Sequence, residues 1–233
     1  MKKLTVISGG SSGLGLEIAD LLVKSGNNVL ILGRNKEKLG MAMSRLAKSS
    51  GRGKTESLVC NIGDENDIKH TGAFIEENDY EVDYLFNNAG QGLSSAAKNT
   101  TAQLIENIFE ANLKGMILLT TEILRITPDK DELTIINIMS TSSLIGRADE
   151  TIYCAAKWGA RGYTEALRTE YKGTKKNIIA VYPGGMRTDF WSIVDKSRDL
   201  TNFMDPAEVA LKIVNAVKGD ARLLVTDITI NRK

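Results

Sequence analysis

Seven short apolar runs, separated by longer amphipathic stretches, constrain this chain more than any other feature. The runs are "LTVIS" (4–8), "NVLIL" (28–32), "ESLVC" (56–60), "VDYLFN" (82–87), "LTIINIM" (133–139), "NIIAVY" (177–182) and "RLLVTDITI" (222–230). Most are apolar almost throughout and rich in β-branched residues, the pattern of strands covered on both faces. Between them, "LGLEIADLLVKSG" (14–26) sets Leu14, Ile18, Leu21 and Leu22 on one helical face and closes on Gly26, a residue suited to the position past a helix end. Further helices are expected at about 36–49, 64–78, 101–126, 151–172 and 205–218, the last with Asp205 as N-cap and Pro206 in the first turn. The alternation runs without a change of composition, a linker or a repeat. It predicts one α/β domain over residues 1–233: a doubly wound, mostly parallel seven-stranded sheet with helices on both faces.

Charge and composition narrow the partners. The formal net charge is +1, so no global field draws the chain to nucleic acid or to a membrane, and neither is expected as a partner. "MKKLTVISGG" begins like a secretory signal, but glycine and serine interrupt its short apolar run too early. No segment approaches the roughly 20 apolar residues of a membrane span. A cytoplasmic protein is the expectation. Cys60 and Cys154 lack metal or redox spacing and read as reduced thiols packed among apolar groups. The one histidine, His70, falls on a surface helix, and "GxSxG" is missing. A Ser-His-Asp hydrolase and a histidine-based zinc site are both disfavoured, and no metal is expected.

"SGGSSGLG" (8–15) joins the first strand to the first helix. Parallel sheets bind ligands beyond the carboxyl ends of their strands, at a switch in strand order. A helix starting there turns unpaired N–H groups and the positive end of its dipole toward the loop, which makes an anion site. Gly9 permits a tight turn, and Gly10 keeps it free of a side chain. Gly13 lets backbone approach a pyrophosphate, and Gly15 lets helix meet strand closely. Ser11 and Ser12 add hydroxyl donors. The spacing, G-x-x-x-G-x-G, is neither G-x-G-x-x-G nor a P-loop. With a strand before it and a helix after, it predicts a Rossmann-type dinucleotide site. The second strand ends "LILGRN", with Gly33 where an acid would take a ribose 2′-hydroxyl and Arg34 beside it. A guanidinium pairs bidentately with a 2′-phosphate. NADP(H) is therefore the expected cofactor and NAD(H) the alternative; the plainer reading of Arg34 is a solvated arginine at a strand end.

"YCAAK" places Tyr153 and Lys157 on one face of a helix. A free tyrosine titrates near 10 and is a poor base at neutral pH. An ammonium beside it, together with a cationic nicotinamide ring, would favour the phenolate. Such a tyrosine can exchange a proton with a carbonyl or alcohol oxygen. Ser140, thirteen residues earlier, ends a central strand at the edge where ligands bind, and its hydroxyl suits a developing oxyanion. "NNAG" (87–90) ends the fourth strand at the same edge. Asn112 lies inside a long helical stretch, where asparagine is a mediocre helix former; its side chain, or a disturbed backbone, would serve water.

Taken in order and spacing, "SGGSSGLG", "NNAG", Asn112, Ser140, "YCAAK" and "YPGGMRT" resemble the short-chain dehydrogenase/reductase family in its compact single-domain form, from Thr5 to about Thr188 and more loosely beyond. The resemblance implies that Tyr153 is the general acid in reduction and that Lys157 lowers its pKa and holds the nicotinamide ribose. It implies that Ser140 orients the carbonyl and that Asn112 positions a water relaying protons toward Lys157. Pro183 and Gly184 would shape the nicotinamide pocket and Thr188 would bond the carboxamide. Asn88, Ala89 and Gly90 would flank the adenosine side and brace the sheet, with further cofactor contacts from Leu14, Ile62 and Met186. Family members are often dimers or tetramers, so a homodimer or homotetramer is implied. Three departures stand out: Ser8 for threonine, Asn61 for the aspartate beside adenine, and Met139 for a small residue before Ser140.

The least periodic stretch is about 184–204, "GGMRTDFWSIVDKSRDLTNFM". Long irregular segments in compact domains are often lids. Phe190, Trp191, Ile193, Phe203 and Met204 either cover an apolar substrate or pack an ordinary amphipathic helix on the core, with Phe190 and Trp191 the expected substrate contacts. The combined expectation is an NADP(H)-dependent carbonyl reductase acting on a small carbonyl compound or alcohol: an aldehyde, ketone, diketone or acyl-carrier-protein ketoester. The alternative is a non-catalytic NADP(H) sensor or scaffold on the same fold.

Overall fold

The computed structural model describes residues 1–233 except 50, 52, 195–198 and 219–222, and except the side chains of 192 and 193. Seven strands, β1 (Lys2–Ser8), β2 (Val29–Gly33), β3 (Thr55–Val59), β4 (Tyr80–Asn87), β5 (Leu133–Ile138), β6 (Lys176–Pro183) and β7 (Asp227–Ile230), form one sheet in the order β3-β2-β1-β4-β5-β6-β7. Every neighbouring pair is parallel. Helices α1 (Gly13–Lys24), α2 (Lys36–Leu46), α3 (Glu65–Glu77), α4 (Ala102–Phe109), α5 (Gly115–Ile126), α6 (Thr151–Glu170), α7 (Phe190–Val194) and α8 (Pro206–Val217) supply the connections and covering layers.

Strand residues are apolar without alternation because each sheet face has its own core. Ile7, Ile31, Phe86, Ile136 and Ile179 pack with residues of α1, α2 and α8. Their chain neighbours Val6, Leu30, Leu85, Ile135 and Ile178 point the other way, onto α3, α5 and α6. Helix ends follow local chemistry. Asp64 and Asp205 accept N–H bonds at the starts of α3 and α8. Gly26, at φ +87°, closes α1 with N–H bonds from Gly26 to Val23 and from Asn27 to Leu22.

Two expected elements change. The stretch 101–126 is three pieces rather than one helix: α4, a π-helical turn at Glu110–Lys114, and α5. The strand expected at 222–230 is formed only at Asp227–Ile230, because pairing with β6 begins at Ala180↔Asp227. Leu223, Leu224 and Val225 precede it as exposed irregular chain, and residue 222 lies outside the described residues.

A buried polar chain crosses the apolar layer above β4 and β5. Asn87 Nδ2 donates to Thr120 Oγ1 at 2.8 Å and to Asn137 Oδ1 at 2.9 Å, and Asn137 Nδ2 donates to Thr164 Oγ1 at 2.9 Å. Thr164 in turn donates to the Ala160 carbonyl. This ties α5 and α6 to fixed positions on the sheet. Asn137→Ala should leave the buried amide of Asn87 and the Thr164 hydroxyl short of a partner and cost about 1–3 kcal/mol, read as a lower urea midpoint with an unchanged slope.

Candidate active site

The order of strands reverses direction between β1 and β4, and a cavity of about 880 Å³ opens at their carboxyl ends. The glycine loop forms one wall. Gly9 and Gly13 have φ of +66° and +52°, a region that disfavours side chains. A Cβ on Gly15 would lie 2.4 Å from the Gly9 carbonyl oxygen, so α1 approaches the turn as closely as backbone allows. Ser12, the N-cap of α1, makes no side-chain cap bond, and Ser12, Gly13 and Leu14 line the cavity. This is a cradle suited to a pyrophosphate. Ser8 keeps the hydroxyl of the residue it replaces and uses it: Oγ accepts from the N–H groups of Asn88 and Ala89 at 3.0 and 3.1 Å. Asn88 Nδ2 returns bonds to the carbonyls of Ser8 and Gly9.

At the adenosine end, Gly33, Arg34, Asn61 and Ile62 line the same cavity. Arg34 is exposed there. Asn61 directs its amide into the protein, with Nδ2 donating to Glu110 at 3.2 Å and Oδ1 accepting from the Gly63 N–H at 3.3 Å. Lys38, in the first turn of α2, also lines this end and was not singled out from sequence. It lies 3.9 Å from Asp189.

At the other end Asn112, Ser140, Tyr153 and Lys157 line the cavity with Pro183, Gly184, Met186 and Thr188. Lys157 and Tyr153 are buried, with the Lys157 ammonium nitrogen 5.8 Å from the phenol ring centroid. Lys157 Nζ donates to the Ile138 carbonyl at 3.5 Å. Ser140 lies beside the Tyr153 phenol, and its Oγ accepts from the Ser142 N–H at 3.1 Å. Burial is the largest influence on that phenol and pushes it above its ordinary value, with the neighbouring Ser140 hydroxyl pulling it back. The expected lowering joins the Lys157 ammonium to a cationic nicotinamide ring; with the protein's own groups alone, burial dominates. The same burial pushes Lys157 down to about 8.

Asn112 falls within the π-helical turn. Its side chain is committed to backbone, with Nδ2 donating to the carbonyls of Gln91 and Ile108 at 2.8 and 2.9 Å and Oδ1 accepting from the Gln91 N–H at 3.3 Å. Of the two expectations for Asn112, the disturbed backbone is what the structure contains. Gly90 is required beside it, because a Cβ would lie 2.8 Å from Asn112 Oδ1 and 3.5 Å from Lys157 Nζ.

The 184–204 segment divides. Phe190, Trp191 and Phe203 line the cavity as a run of edge-on rings, starting 6.0 Å from the Tyr153 ring and continuing at 5.3 Å spacings. Met204 instead packs on the core and bridges Met186. The side chain of Ile193 lies outside the described residues. Asn231 and Arg232 reach the cavity rim because β7 pairs with β6, and no local sequence pattern announces that. Met139 packs with Met116 and Tyr182 while also touching the cavity. Both cysteines are free and buried, and burial pushes Cys60 up to about 11. Among the described residues there is no His/Cys/Asp/Glu cluster fit for a metal, and no helix is long and apolar enough to cross a membrane.

Comparison with known proteins agrees with this geometry. The family model described as short chain dehydrogenase matches residues 3–199. Carbonyl reductase family member 4 of Xenopus laevis is 29% identical over 219 residues, covering 92% of this chain and 90% of that protein. A short-chain dehydrogenase/reductase from Vibrio parahaemolyticus superposes with a TM-score of 0.86 at 30% identity, covering 98% of this chain and 99% of its own. An actinorhodin polyketide ketoreductase crystallised with NADPH superposes with a TM-score of 0.86 at 26% identity, covering 98% and 95%.

The buried Lys157 ammonium makes its own prediction. Below pH 8 its desolvation costs the fold about 3 kcal/mol. The cost fades as pH rises from 8 toward the ordinary lysine range, because there the folded state binds fewer protons than the unfolded state. Lys157→Met should therefore resist urea better than the natural protein at neutral pH, by a margin that narrows above pH 8.

Proposed function

This chain belongs to the short-chain dehydrogenase family, and from that premise we propose that it is an NADP(H)-dependent oxidoreductase that interconverts a carbonyl compound and its alcohol. The observation that carries this reading is the convergence of Ser140, Tyr153, Lys157 and the Asn112 π-turn on the cavity that the glycine loop enters. Binding and chemistry then belong to one Rossmann-type unit spanning residues 1–233. Bound NADP(H) supplies or receives the hydride. The glycine loop and the first turn of α1 hold the pyrophosphate, and Arg34 pairs with the 2′-phosphate. Lys157 holds the nicotinamide ribose. Ser140 binds the substrate oxygen, and Tyr153 gives it a proton during reduction or takes one during oxidation. The backbone of the 110–114 turn holds a water on the proton path to Lys157. Phe190 and Trp191 cover an apolar part of the substrate. The ketoreductase crystallised with NADPH supports the choice of cofactor, and the carbonyl reductase relative supports the substrate class.

Tyr153→Phe should retain NADPH binding, followed by cofactor fluorescence, and lose carbonyl reduction by at least about 10²-fold. Equal turnover in the variant, or cofactor binding with no turnover of any carbonyl by the natural protein, would favour a dinucleotide sensor instead. Arg34→Ala should weaken NADPH by about 1.5–3 kcal/mol, a loss of roughly ten- to a hundredfold, and leave NADH nearly unchanged. Equal weakening of both would overturn the phosphate assignment.

A further inference from the structure

Glu110 is a half-buried acid on the cavity wall to which the reaction proposed above gives no part. It opens the π-helical turn, and its surroundings fix its place. Asn61 Nδ2 donates to its Oε1 at 3.2 Å. Gly63 leaves room for it, since a Cβ there would collide with Glu110 Cγ and Oε1. Lys114, at the other end of the turn, donates from Nζ to the Gly63 carbonyl at 2.9 Å and ties the loop after β3 to the same turn. Glu110 Oε2 makes no hydrogen bond among the described residues.

The strands say which part of a dinucleotide meets this acid. From the glycine loop the cavity wall passes to Gly33 and Arg34 at the end of β2, then to Asn61 and Ile62 past the end of β3, where Glu110 and Ala111 join it. With the pyrophosphate on the glycine loop and the 2′-phosphate on Arg34, the base lies beyond that ribose, where the β3 end meets the π-turn. Adenine carries a 6-amino group, which donates and needs an acceptor. The Asn61 carbonyl is already engaged by the Gly63 N–H at 3.3 Å. A carboxylate accepts only, has lone pairs to spare, and makes the stronger bond. The other acids on the described wall are placed elsewhere: Asp189 lies against Lys38, and Glu150 stands three residues before Tyr153.

Resting on the reading of this cavity as an NADP(H) site, we propose that Glu110 selects the adenine base. Its carboxylate accepts from the 6-amino group, and Asn61 is the positioning residue that holds the carboxylate in line. The π-turn then serves both ends of the cofactor, with Glu110 at the base and Asn112 beside Gly90 near Lys157.

The test compares NADPH with its hypoxanthine analogue, in which a carbonyl oxygen replaces the 6-amino group and sets acceptor against acceptor. Both nucleotides carry the same phosphates, so Arg34 and any general repulsion cancel in the ratio of their dissociation constants, read from the fluorescence of the reduced nicotinamide. The natural protein should bind NADPH about tenfold tighter than the analogue. Glu110→Gln keeps an acceptor for Asn61 and adds a donor for the carbonyl, so the ratio should fall to about one. Asn61→Ala should narrow the ratio in the natural background and leave it unchanged in Glu110→Gln. Equal affinity of the natural protein for the two nucleotides, or an unchanged ratio in Glu110→Gln, overturns the role of Glu110 and leaves the NADP(H) reading standing. A ratio that Asn61→Ala does not move in the natural background overturns the positioning role. Failure of the natural protein to bind either nucleotide overturns the dinucleotide reading, and this inference with it.

Discussion

The site depends on the junction of β1 and β4, where adjacent parallel strands diverge to helices on opposite faces. The gap that opens there must be held by something other than sheet hydrogen bonds. Ser8 and Asn88 hold it: one hydroxyl takes two backbone N–H groups from the far strand, and one amide returns two bonds to the near turn. From this cross-link the geometry propagates through short contacts. Gly9 lies against Ala89, Gly90 against Asn112, and Asn112 against both Gln91 and Ile108. At Gly9 and Gly90 a Cβ would crowd its neighbour, so the glycine loop and the π-turn are placed relative to each other by sterics as well as by bonding.

The chemistry at the far end of the cavity is a contest between burial and charge. Desolvation pushes the Tyr153 phenol up and the Lys157 ammonium down. Both shifts disfavour the ion pair that a phenolate and an ammonium would make. Ser140 and Arg147 pull the phenol one way and Glu150 the other. A tyrosine and a lysine one helical turn apart in water would show none of this, since solvent screens such pairs. The buried amides of Asn87 and Asn137 have a related task, fixing α6 against the sheet through Thr164. The residues near the chemistry are thus anchored from β5 below and from the 140–143 turn above.

Much of the fold was legible because strand residues are apolar on both faces and helix ends carry their own signals. Asp205-Pro206, Asp64 and Gly26 act where their chemistry places them. Asn112 was legible as a misfit in a helix, and the misfit is a π-turn. The boundaries at 109 and 114 were not, because apolar spacing is nearly the same on both sides of the insertion. The last strand was read too long because Leu223, Leu224 and Val225 have strand-like composition, whereas strand formation there depends on where β6 offers a partner. Glu150, Lys38, Asn231 and Arg232 carry no local pattern and join the cavity only through tertiary placement. Phe190 and Trp191 were legible as apolar residues in an irregular stretch, but their separation from Met204, which turns to the core, was not.

By itself, the sequence determined the parallel sheet, the glycine turn at its first carboxyl end, and a tyrosine and lysine sharing one face of a helix. These follow from local rules: apolar periodicity, the positive φ that glycine tolerates, and the helical repeat. Only the tertiary structure decided which residues share a cavity and what state their protons favour. Strand order brings Ser8 to Asn88, Ser140 to Tyr153 and Gly90 to Lys157 across long stretches of chain, and burial then pushes the Tyr153 phenol up and the Lys157 ammonium down. Desolvation is a property of everything packed around a group, and no short motif can state it.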